Sequence, residues 1–462
     1  MARSEACERA YRAYYSRDWQ TCINECHLAL NENPEDHDAM HAAGVALMYS
    51  GKRGLATVLF RHALALKPDY QSAWVSLGNA HKQAFNYADA QNAWGEALKL
   101  NPKDAVTMSN MATLFSNGAQ PEKAEKWCRK ALELDPGLSD AVRNLAFSLF
   151  EQEKWQEAWQ CFQARAVNQA GPVTRNFWHR GQTPLWDGSP GKTVVAYGEQ
   201  GVGDELLFLS MLPDALKVCR ELILECHPRL VDTVKRSFPG LPVYGTRKEP
   251  IVDWAHDHKI DAAIGVGSLG LYFRNSNDSF PGTPYIVPDR EEVIRHRRGS
   301  KRLRVGISWA GGTPETYRRY RSIDLKRWVP ILSQDADFYS FQYDADSAKQ
   351  CADLEEHTGI HVKHRPGLVE CRNYDKTISF AASMDLIISV SGTLFHVGGA
   401  LGIPTWCLVP SRPAWRYGLT GDTSRWYGSA RMFRQVGDDW NAVIERVAGE
   451  LPNFGRLACA AE

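Results

Sequence analysis

The sequence is short of three features that define common classes of protein: an excess of one charge, a long apolar run and paired cysteines. Lysine and arginine together number 54, as do aspartate and glutamate, so we expect no nucleic-acid partner. No apolar run approaches the roughly 18 residues that cross a membrane, and charged residues interrupt the start of the chain, so we expect neither a membrane span nor a secretory signal. Eleven scattered cysteines without a C-x-x-C pair are typical of reduced thiols, which indicates a cytoplasmic protein.

Metal-ligand spacing is scarce as well. His37 and His41, four residues apart, come nearest to a ligand pair, so we expect no metal and no other cofactor. At 462 residues the chain is long enough for several domains. A single small binding module is therefore excluded.

Residues 1–170 repeat with a period of 34. Large side chains such as Phe60 and Trp94 fall between small ones, so that small and large residues meet where helices cross. A helix–turn–helix unit of this length and distribution is the tetratricopeptide pattern, and about five copies cover residues 3–170. The period is carried by four prolines and by three series of small residues (Pro34, Pro68, Pro102, Pro136; Gly44, Gly78, Ala112, Ala146; Ala56, Ala90, Ala124, Ala158; Ala29, Ala63, Ala97, Ala131).

Stacked units of this kind form an α-solenoid whose concave surface is lined by the first helix of each pair and usually holds a peptide. Asn110 and Asn144 lie one repeat apart on first helices, with Asn79 in the preceding unit. Side-chain amides can pair with the backbone of a bound strand whatever its sequence, so we predict that these three bind an acceptor chain. The alternative is that they are ordinary amides on a helix surface.

A second kind of pattern follows a proline- and glycine-rich segment, residues 184–191, which predicts a linker. The β-rich run at 193–197 leads into the loop Gly198-Glu-Gln-Gly-Val-Gly-Asp204 and then into a helical pattern. Glycines such as Gly201 and Gly203 let the backbone approach a ligand, and helix-start amides favour anions. Further strands at 221–225 and 261–264 indicate a parallel α/β sheet.

A second α/β unit starts at the strand 303–308, which runs into Trp309 and then into an arginine cluster containing Arg321. Guanidinium groups there can neutralise a diphosphate; the alternative is a solvent-facing loop. Tryptophans such as Trp309 can stack on a base or sugar, or can simply pack in the core.

The stretch 385–404 is the most informative. A buried strand ends in Ser391-Gly392-Thr393, and a glycine-containing helix follows. The hydroxyls and free amides of this helix start can hold phosphate, while the glycines at 398 and 399 permit close packing on the sheet. His396 lies one turn into the helix, where it either reaches the same anion or is a buried, hydrogen-bonded core residue.

These motifs together resemble those of bacterial tetratricopeptide-fused glycosyltransferases, which are related to lipopolysaccharide heptosyltransferases and are similar in layout to O-GlcNAc transferases. The resemblance is carried by the loop 198–204, the Trp309 loop with Arg321-Ser322-Ile323, the turn 393–402 and the late segments 422–427 and 431–434. It covers nearly the whole chain. Family members often have Asp-Thr where this chain has Ser391-Gly392.

The resemblance implies an α-solenoid followed by a GT-B fold of two facing, Rossmann-like α/β lobes. The expected domains are a repeat domain at 1–170, an acceptor-side lobe at 171–300 and a nucleotide-sugar-binding lobe at 301–462. The implied activity is an inverting, metal-independent transfer of a sugar from a nucleotide-sugar to a protein acceptor, with flagellin as a candidate. Matching of the family motifs implies that Thr393 and His396 lie at the donor phosphates, Arg321 clamps the phosphate, Gln342 lies near the nucleotide and Asp204 lies in the acceptor-side loop. With the residues read from the sequence itself, the donor-binding set also includes Trp309, Ser391 and Gly392, and the acceptor-binding set also includes Gly201 and Gly203.

Sugar transfer requires stabilisation of the departing diphosphate and removal of a proton from the acceptor hydroxyl. Asp204 is the leading base candidate, although an aspartate at this point is also a common helix N-cap; Glu199 and His396 are the other two candidates. One alternative function is a catalytically inactive scaffold built on the repeats. Another, a nicotinamide-dependent oxidoreductase, is disfavoured because the loop 198–204 lacks the third glycine of G-x-G-x-x-G.

Overall fold

A computed structural model describes residues 4–168, 183–247, 249, 252–299, 302–312, 318–369, 373–437 and 439–460. The chain divides into two compact units, Met1–Ser148 and Leu149–Glu462. The predicted domain boundaries at 170/171 and 300/301 both lie outside the described residues.

The first unit is a helical solenoid of tetratricopeptide repeats, as the 34-residue period predicts. Consecutive helices pack in pairs, and the first helices of neighbouring pairs also touch one another. The last pair of repeat helices, α9 and α10, carries the chain across into the second unit. The helices are α1 (Glu5–Tyr15), α2 (Trp19–Glu32), α3 (His37–Tyr49), α4 (Arg53–Leu66), α5 (Gln71–Gln83), α6 (Tyr87–Leu100), α7 (Ala105–Asn117), α8 (Pro121–Leu134), α9 (Ser139–Glu151) and α10 (Trp155–Asn168).

Small residues lie where large side chains cross between the helices of a pair. A Cβ added to Gly44 would lie 2.5 Å from the Phe60 ring, and one added to Gly78 would lie 2.3 Å from the Trp94 indole. Both distances are far below van der Waals contact. The predicted alternation of small and large residues at helix crossings is therefore confirmed at these two sites.

A residue with left-handed backbone conformation follows the first helix of every pair. These residues recur at the repeat spacing, and only one of them is glycine. The left-handed region is costly for a residue with a Cβ, so the turn is dictated by helix packing more than by local preference. The five residues and their φ angles are Arg17 (61°), Gly51 (80°), Phe85 (64°), Ala119 (52°) and Glu153 (58°).

The second unit contains two parallel β-sheets, as expected for α/β architecture. The strand order is β3-β2-β1-β4 in the first sheet and β10-β9-β8-β5-β6-β7 in the second. In parallel sheets the carboxyl ends of all strands meet at one edge, where ligands of open α/β folds bind. The strands are β1 (Thr193–Tyr197), β2 (Glu221–Glu225), β3 (Val243–Tyr244), β4 (Ala262–Gly265), β5 (Arg304–Ser308), β6 (Asp337–Ser340), β7 (Lys363–His364), β8 (Leu386–Val390), β9 (Thr405–Val409) and β10 (Ala430–Arg434).

Helices connect these strands, and several are very short. Among the described residues none is long and apolar enough to cross a membrane. The helices are α11 (Val202–Leu209), α12 (Leu212–Val218), α13 (Val231–Ser237), α14 (Gly270–Phe273), α15 (Arg290–Arg297), α16 (Val329–Leu332), α17 (Ser347–Thr358), α18 (Pro366–Val369), α19 (Tyr374–Ala381), α20 (Thr393–Leu401) and α21 (Asn441–Ala460).

The segment before β1 differs from the prediction of a linker. Leu185 forms a parallel bridge with Ala263 of β4, and the Trp186 side chain is buried. Its indole Nε1 donates to the Ser189 carbonyl at 3.0 Å. Burial of a large indole outweighs the turn-forming residues around it, so the segment extends the edge of the first sheet.

The predicted close packing of α20 on its sheet is confirmed. A Cβ on Gly398 would lie 2.2 Å from Thr405 Oγ1 of β9, and one on Gly399 would lie 2.2 Å from the Tyr427 ring. Since α20 is buried along almost its whole length, these glycines fix the position of its amino-terminal end.

Candidate functional site

The loop after β1 places the start of α11 at the carboxyl edge of the first sheet. Gly201 is the N-cap residue, with φ of −85°, and the helix begins at Val202. Asp204 therefore lies in the first turn, and the alternative prediction that it caps α11 is wrong. Its carboxylate instead forms an ion pair with the Arg416 guanidinium.

Two other acids, Glu199 in this loop and Glu205 in α11, face inward. Glu199 is buried, and its Oε1 accepts from the Gly267 backbone N–H at 3.1 Å. Glu205 is completely buried; it accepts from the His227 N–H at 2.7 Å and lies 2.6 Å from Nη1 of Arg247. Burial raises the pKa of Glu205 to about 7 in spite of the arginine.

Arg247 also fastens the loop itself. Besides pairing with Glu205, its guanidinium donates to the carbonyl of Gln200, which has a left-handed φ of 64°. The ion pair between Arg247 and Glu205 thereby holds the loop 198–201 in place. Glu199 and Glu205 organise the loop, and Asp204 is the acid that stays partly exposed.

The start of α20 lies directly against the start of α11. A Cβ on Gly203 would be 3.2 Å from Thr393 Oγ1 and 3.2 Å from His396 Cδ2. Gly392 is the N-cap of α20. A Cβ added to Gly311, in the loop after β5, would lie 3.0 Å from the Ser391 carbonyl oxygen. Three loops that follow strands of the two sheets thus converge.

His396 is buried between two tyrosines. Its Nδ1 is 3.1 Å from the Tyr427 hydroxyl and its Nε2 is 3.3 Å from the Tyr417 hydroxyl. Burial, together with the nearby Arg416 and Arg321, holds the pKa of His396 well below its usual value. The imidazole is therefore neutral, and both of its nitrogens face tyrosine hydroxyls, as in the alternative prediction of a buried, hydrogen-bonded core histidine.

Positive charge at this site comes from two arginines. Burial lowers the pKa of Arg321, and the neighbouring Arg416 lowers it further while Asp204 opposes this. Arg416 is mostly buried; within the described part of the chain its Nε has no hydrogen-bond partner. Arg416, paired with Asp204, and Arg321 thus lie near the starts of two helices, which is a favourable environment for an anion.

The side chains of two residues predicted to bind the donor form hydrogen bonds within the protein. The Gln342 Oε1 accepts from Ser308 Oγ at 2.9 Å and from the Ala310 N–H at 3.0 Å, and its Nε2 donates to Asp344 at 2.6 Å. The Trp309 indole is buried and donates to Gln350 at 2.7 Å. Both side chains hold the loop after β5 in place. Ser391 is also buried, with its Oγ 3.9 Å from Cys407 Sγ.

An aromatic cluster lies next to Arg416. The Trp415 ring stacks on Phe150 with centroids 4.1 Å apart and meets Trp159 edge-on at 5.8 Å. Trp159 in turn donates through its indole to the Arg274 carbonyl at 2.7 Å. The Arg416 guanidinium lies 5.5 Å from the Trp415 ring centroid, so a cation–π interaction links the arginine to the cluster.

In the first unit the three predicted asparagines are half-buried on first helices. Asn110 Nδ2 donates to Asn79 Oδ1 at 3.4 Å, so these two side chains are neighbours. Asn144 donates to the Ser109 carbonyl and to Thr113 Oγ1 at 3.3 and 3.2 Å. Asn144 thus contacts the helix that carries Asn110, and the three amides retain capacity for further hydrogen bonds.

Sequence reasoning missed Arg416, Tyr417, Glu205 and Arg247. Glu205 carries a usable signal, since a carboxylate inside an apolar helix pattern needs a buried partner. Arg416 and Arg247 carry none, because their contacts join distant parts of the chain. Within the described ranges, no three His, Cys, Asp or Glu side chains are grouped as metal ligands.

Comparison with known proteins agrees with the repeat architecture. Residues 71–104 and 106–138 each match the tetratricopeptide repeat family, so the amino-terminal region is a tetratricopeptide repeat domain of the kind that binds proteins. Over most of its length the chain is similar to Protein FlbA of Caulobacter vibrioides, at 24% identity over 451 residues, which is 91% of this chain and 74% of FlbA.

Other similarities cover smaller parts. The type IV pilus assembly protein PilF of Pseudomonas aeruginosa is 27% identical over 124 residues, 26% of this chain and 49% of PilF. The crystal structure of MamA matches with 16% identity and a TM-score of 0.32, covering 36% of this chain and 94% of MamA.

Proposed function

We propose that this protein is an inverting glycosyltransferase of GT-B architecture that moves a sugar from a nucleotide-sugar to a protein. The observation that carries the proposal is the meeting of the α11 and α20 amino-terminal ends, with Gly203 against Thr393, beside Arg321, Arg416 and Asp204. Each helix follows a strand of a different parallel sheet: α11 follows β1, and α20 follows β8. A diphosphate at this point meets two helix starts and two guanidinium groups.

The charges at this point suit a leaving diphosphate. Arg321 and Arg416 both carry positive charge near Asp204. As the bond between the anomeric carbon and the diphosphate oxygen breaks, the electron pair moves onto the diphosphate. The arginines and the helix-start amides stabilise that charge where it develops.

Asp204 is the group we assign to proton removal. The acceptor hydroxyl gives its proton to this carboxylate as its oxygen bonds to the opposite face of the anomeric carbon. In the absence of donor, Arg416 holds Asp204 in an ion pair. A diphosphate competes for the same guanidinium, so donor binding frees the base. Glu199 and Glu205 do not compete for this role, because both are buried and hydrogen-bonded beneath the loop.

The acceptor is a protein in this proposal. The amide row of Asn79, Asn110 and Asn144 supports backbone-directed capture of an extended chain by the repeats. The resemblance to tetratricopeptide-fused glycosyltransferases of bacteria makes flagellin a candidate acceptor.

The proposal is tested by titrating the full chain with UDP-, GDP-, ADP- and CMP-sugars without metal, using calorimetry. One nucleotide class is expected to bind, and Arg321→Ala and Arg416→Ala each weaken that binding by about 10- to 100-fold, the value of a hydrogen bond to a charged group. Arg295→Ala is the control, since that exposed arginine pairs with Glu292 on α15. Absence of binding by every donor in the panel contradicts the proposal and favours a repeat-based scaffold.

Asp204→Asn separates the base from the binding role. The variant is expected to lose turnover by about 100-fold or more, while its affinity for the donor rises because Arg416 no longer has a carboxylate partner. Asp439→Asn is the matched control, as Asp439 also pairs with an arginine but is exposed. Wild-type turnover in the Asp204 variant rejects the base assignment.

A further inference from the structure

The last repeat hairpin, residues 149–162 at the end of α9 and in α10, carries aromatic side chains where earlier repeats carry polar ones. Trp159 stands at the position that holds Thr57, Gln91 and Glu125 in the three preceding repeats. Its side chain is fully buried, whereas a terminal repeat normally covers the end of a solenoid with a polar face. The repeat pattern does not account for this residue, and its contacts with the α/β region do.

The last hairpin packs against the elements that follow the first sheet. Trp159 Nε1 donates to the Arg274 carbonyl at 2.7 Å, and a Cβ added to Gly270 of α14 would lie 2.4 Å from the Trp159 ring. Trp155 Nε1 donates to Asn277 Oδ1 at 2.6 Å. The hairpin is thereby fixed to the part of the chain that forms the first sheet.

The same hairpin also contacts the loop between β9 and β10 of the second sheet. The buried Phe150 ring stacks on Trp415 with centroids 4.1 Å apart and planes inclined by 19°. In the turn between α9 and α10, Glu153 Oε1 accepts from Arg425 Nε at 2.8 Å. Its Oε2 accepts from Asn277 Nδ2 at 3.0 Å, so one carboxylate joins the parts of the chain that form the two sheets.

The loop after Trp415 has a second support within its own sheet. Arg434 of β10 donates to the Tyr417 carbonyl at 2.7 Å and to the Gly418 carbonyl at 2.8 Å. A planar guanidinium holds such acceptors in a fixed arrangement. Arg416 lies between the stacked tryptophan and this clamped segment, so a shift of Trp415 moves Arg416 as well.

We infer that the last hairpin belongs to the donor site, where Phe150 is a positioning residue that acts through Trp415 on Arg416. The Arg416 guanidinium pairs with Asp204, which follows β1 of the first sheet. Because the hairpin contacts the parts of the chain that form both sheets, it sets how closely these two charged groups approach. The role rests on the proposed function, since it concerns the arginine assigned to the diphosphate.

A double-mutant cycle on the full chain tests the inference. Inorganic diphosphate, titrated by calorimetry, is expected to bind Phe150→Leu about 10-fold more weakly than wild type, because Arg416 is no longer held in place. In the Arg416→Ala background, the Phe150 substitution is expected to change the affinity by less than about twofold. General damage to the fold weakens binding in both backgrounds, so equal losses overturn the positioning role.

Two more variants complete the experiment. Tyr244→Leu is the matched control and is expected to bind diphosphate as wild type does, since Tyr244 stacks on Trp254 at the same 4.1 Å separation but lies in β3. Glu153→Gln keeps the inference testable if Phe150→Leu does not fold. The ion pair of Glu153 with Arg425 is exposed to solvent, so a smaller loss of about threefold is expected, again absent in the Arg416→Ala background.

The inference and the proposed function fail in different ways. If wild-type protein binds diphosphate and the Phe150 and Glu153 variants bind it equally well, the inference is overturned and the proposed function stands. If wild-type protein binds neither diphosphate nor any nucleotide-sugar, both are overturned.

Discussion

At the scale of single residues, the buried polar side chains of the α/β region divide into those that organise loops and those that remain available. Gln342 and Glu199 are satisfied by backbone groups of the loops they support. Arg416 differs, because it is mostly buried, pairs with Asp204 and keeps an Nε without a hydrogen-bond partner in the part of the chain that the structure describes. A buried polar group with unused hydrogen-bonding capacity costs free energy and is often found at a functional site.

Glu205 provides a prediction at this scale. Its folded-state pKa of about 7 exceeds the ordinary value of 4.5. The folded state therefore binds the proton more tightly than the unfolded state does, and the contribution of this group to stability is full below pH 4.5 and is lost as the pH rises through 7. We expect wild-type stability relative to Glu205→Gln to fall by roughly 3 kcal/mol between pH 5 and pH 8.

Urea unfolding of both proteins across this pH range measures the difference. The variant serves as its own reference for all other titrating groups. A difference in unfolding free energy that does not change with pH contradicts the raised pKa of Glu205.

How much of the site can be predicted from sequence depends on the kind of residue. Thr393, Gly203 and Asp204 follow strands that are recognisable as short apolar runs, so sequence places them at the carboxyl edges of the sheets. Tyr417 and Arg416 belong to no regular pattern, and their contacts to His396 and Asp204 arise only when distant segments pack together. The Ser391 side chain lies in a predicted phosphate turn, yet it points to Cys407 in the core.

At the scale of elements, the repeat hairpins combine a predictable and an unpredictable part. The 34-residue period gives the helices and their crossings, as Gly44 against Phe60 illustrates. The left-handed turn does not follow from local preference, because Phe85 and Ala119 occupy it where glycine would be easier. Contacts between the two helices of each pair impose the conformation.

This turn gives a reciprocal pair of predictions. Ala119 has φ of 52°, so Ala119→Gly relieves backbone strain and is expected to raise the free energy of unfolding by about 0.5 to 1 kcal/mol. Gly51 has φ of 80° and open space around an added Cβ, so Gly51→Ala is expected to lower it by about 1 kcal/mol through the backbone alone. Urea denaturation followed by circular dichroism measures both; a stabilising Gly51→Ala would contradict the assignment of strain.

At the scale of the whole molecule, capture and transfer are assigned to different parts of the chain. The first four pairs of repeat helices lie in one compact unit, and the two parallel sheets belong to the other. The similarity to FlbA spans both parts, since it covers 91% of this chain. This assignment predicts that substitutions can impair acceptor binding without impairing sugar transfer.

Replacement of Asn79, Asn110 and Asn144 together by alanine tests this division. We expect KM for a protein acceptor to rise about 10-fold or more, since several hydrogen bonds to the bound chain are lost, while donor hydrolysis and kcat stay within about twofold. Asn31→Ala is the control, because Asn31 is exposed on the second helix of its pair, where its side chain is hydrogen-bonded to His27 of the same helix. An equal loss of donor hydrolysis in the triple variant would show that the amide row does not act through acceptor capture.

The aromatic cluster beside Arg416 also gives this protein an optical property. Trp159, Trp415 and Trp426 are held with ring centroids 5.8 and 6.2 Å apart and steeply inclined to one another. Indoles at such separations couple their electronic transitions, so the near-ultraviolet circular dichroism spectrum carries a signal from this one location. Since Trp415 precedes the arginine that the proposed function assigns to the diphosphate, that function predicts that a donor changes this circular dichroism signal in the unlabelled protein.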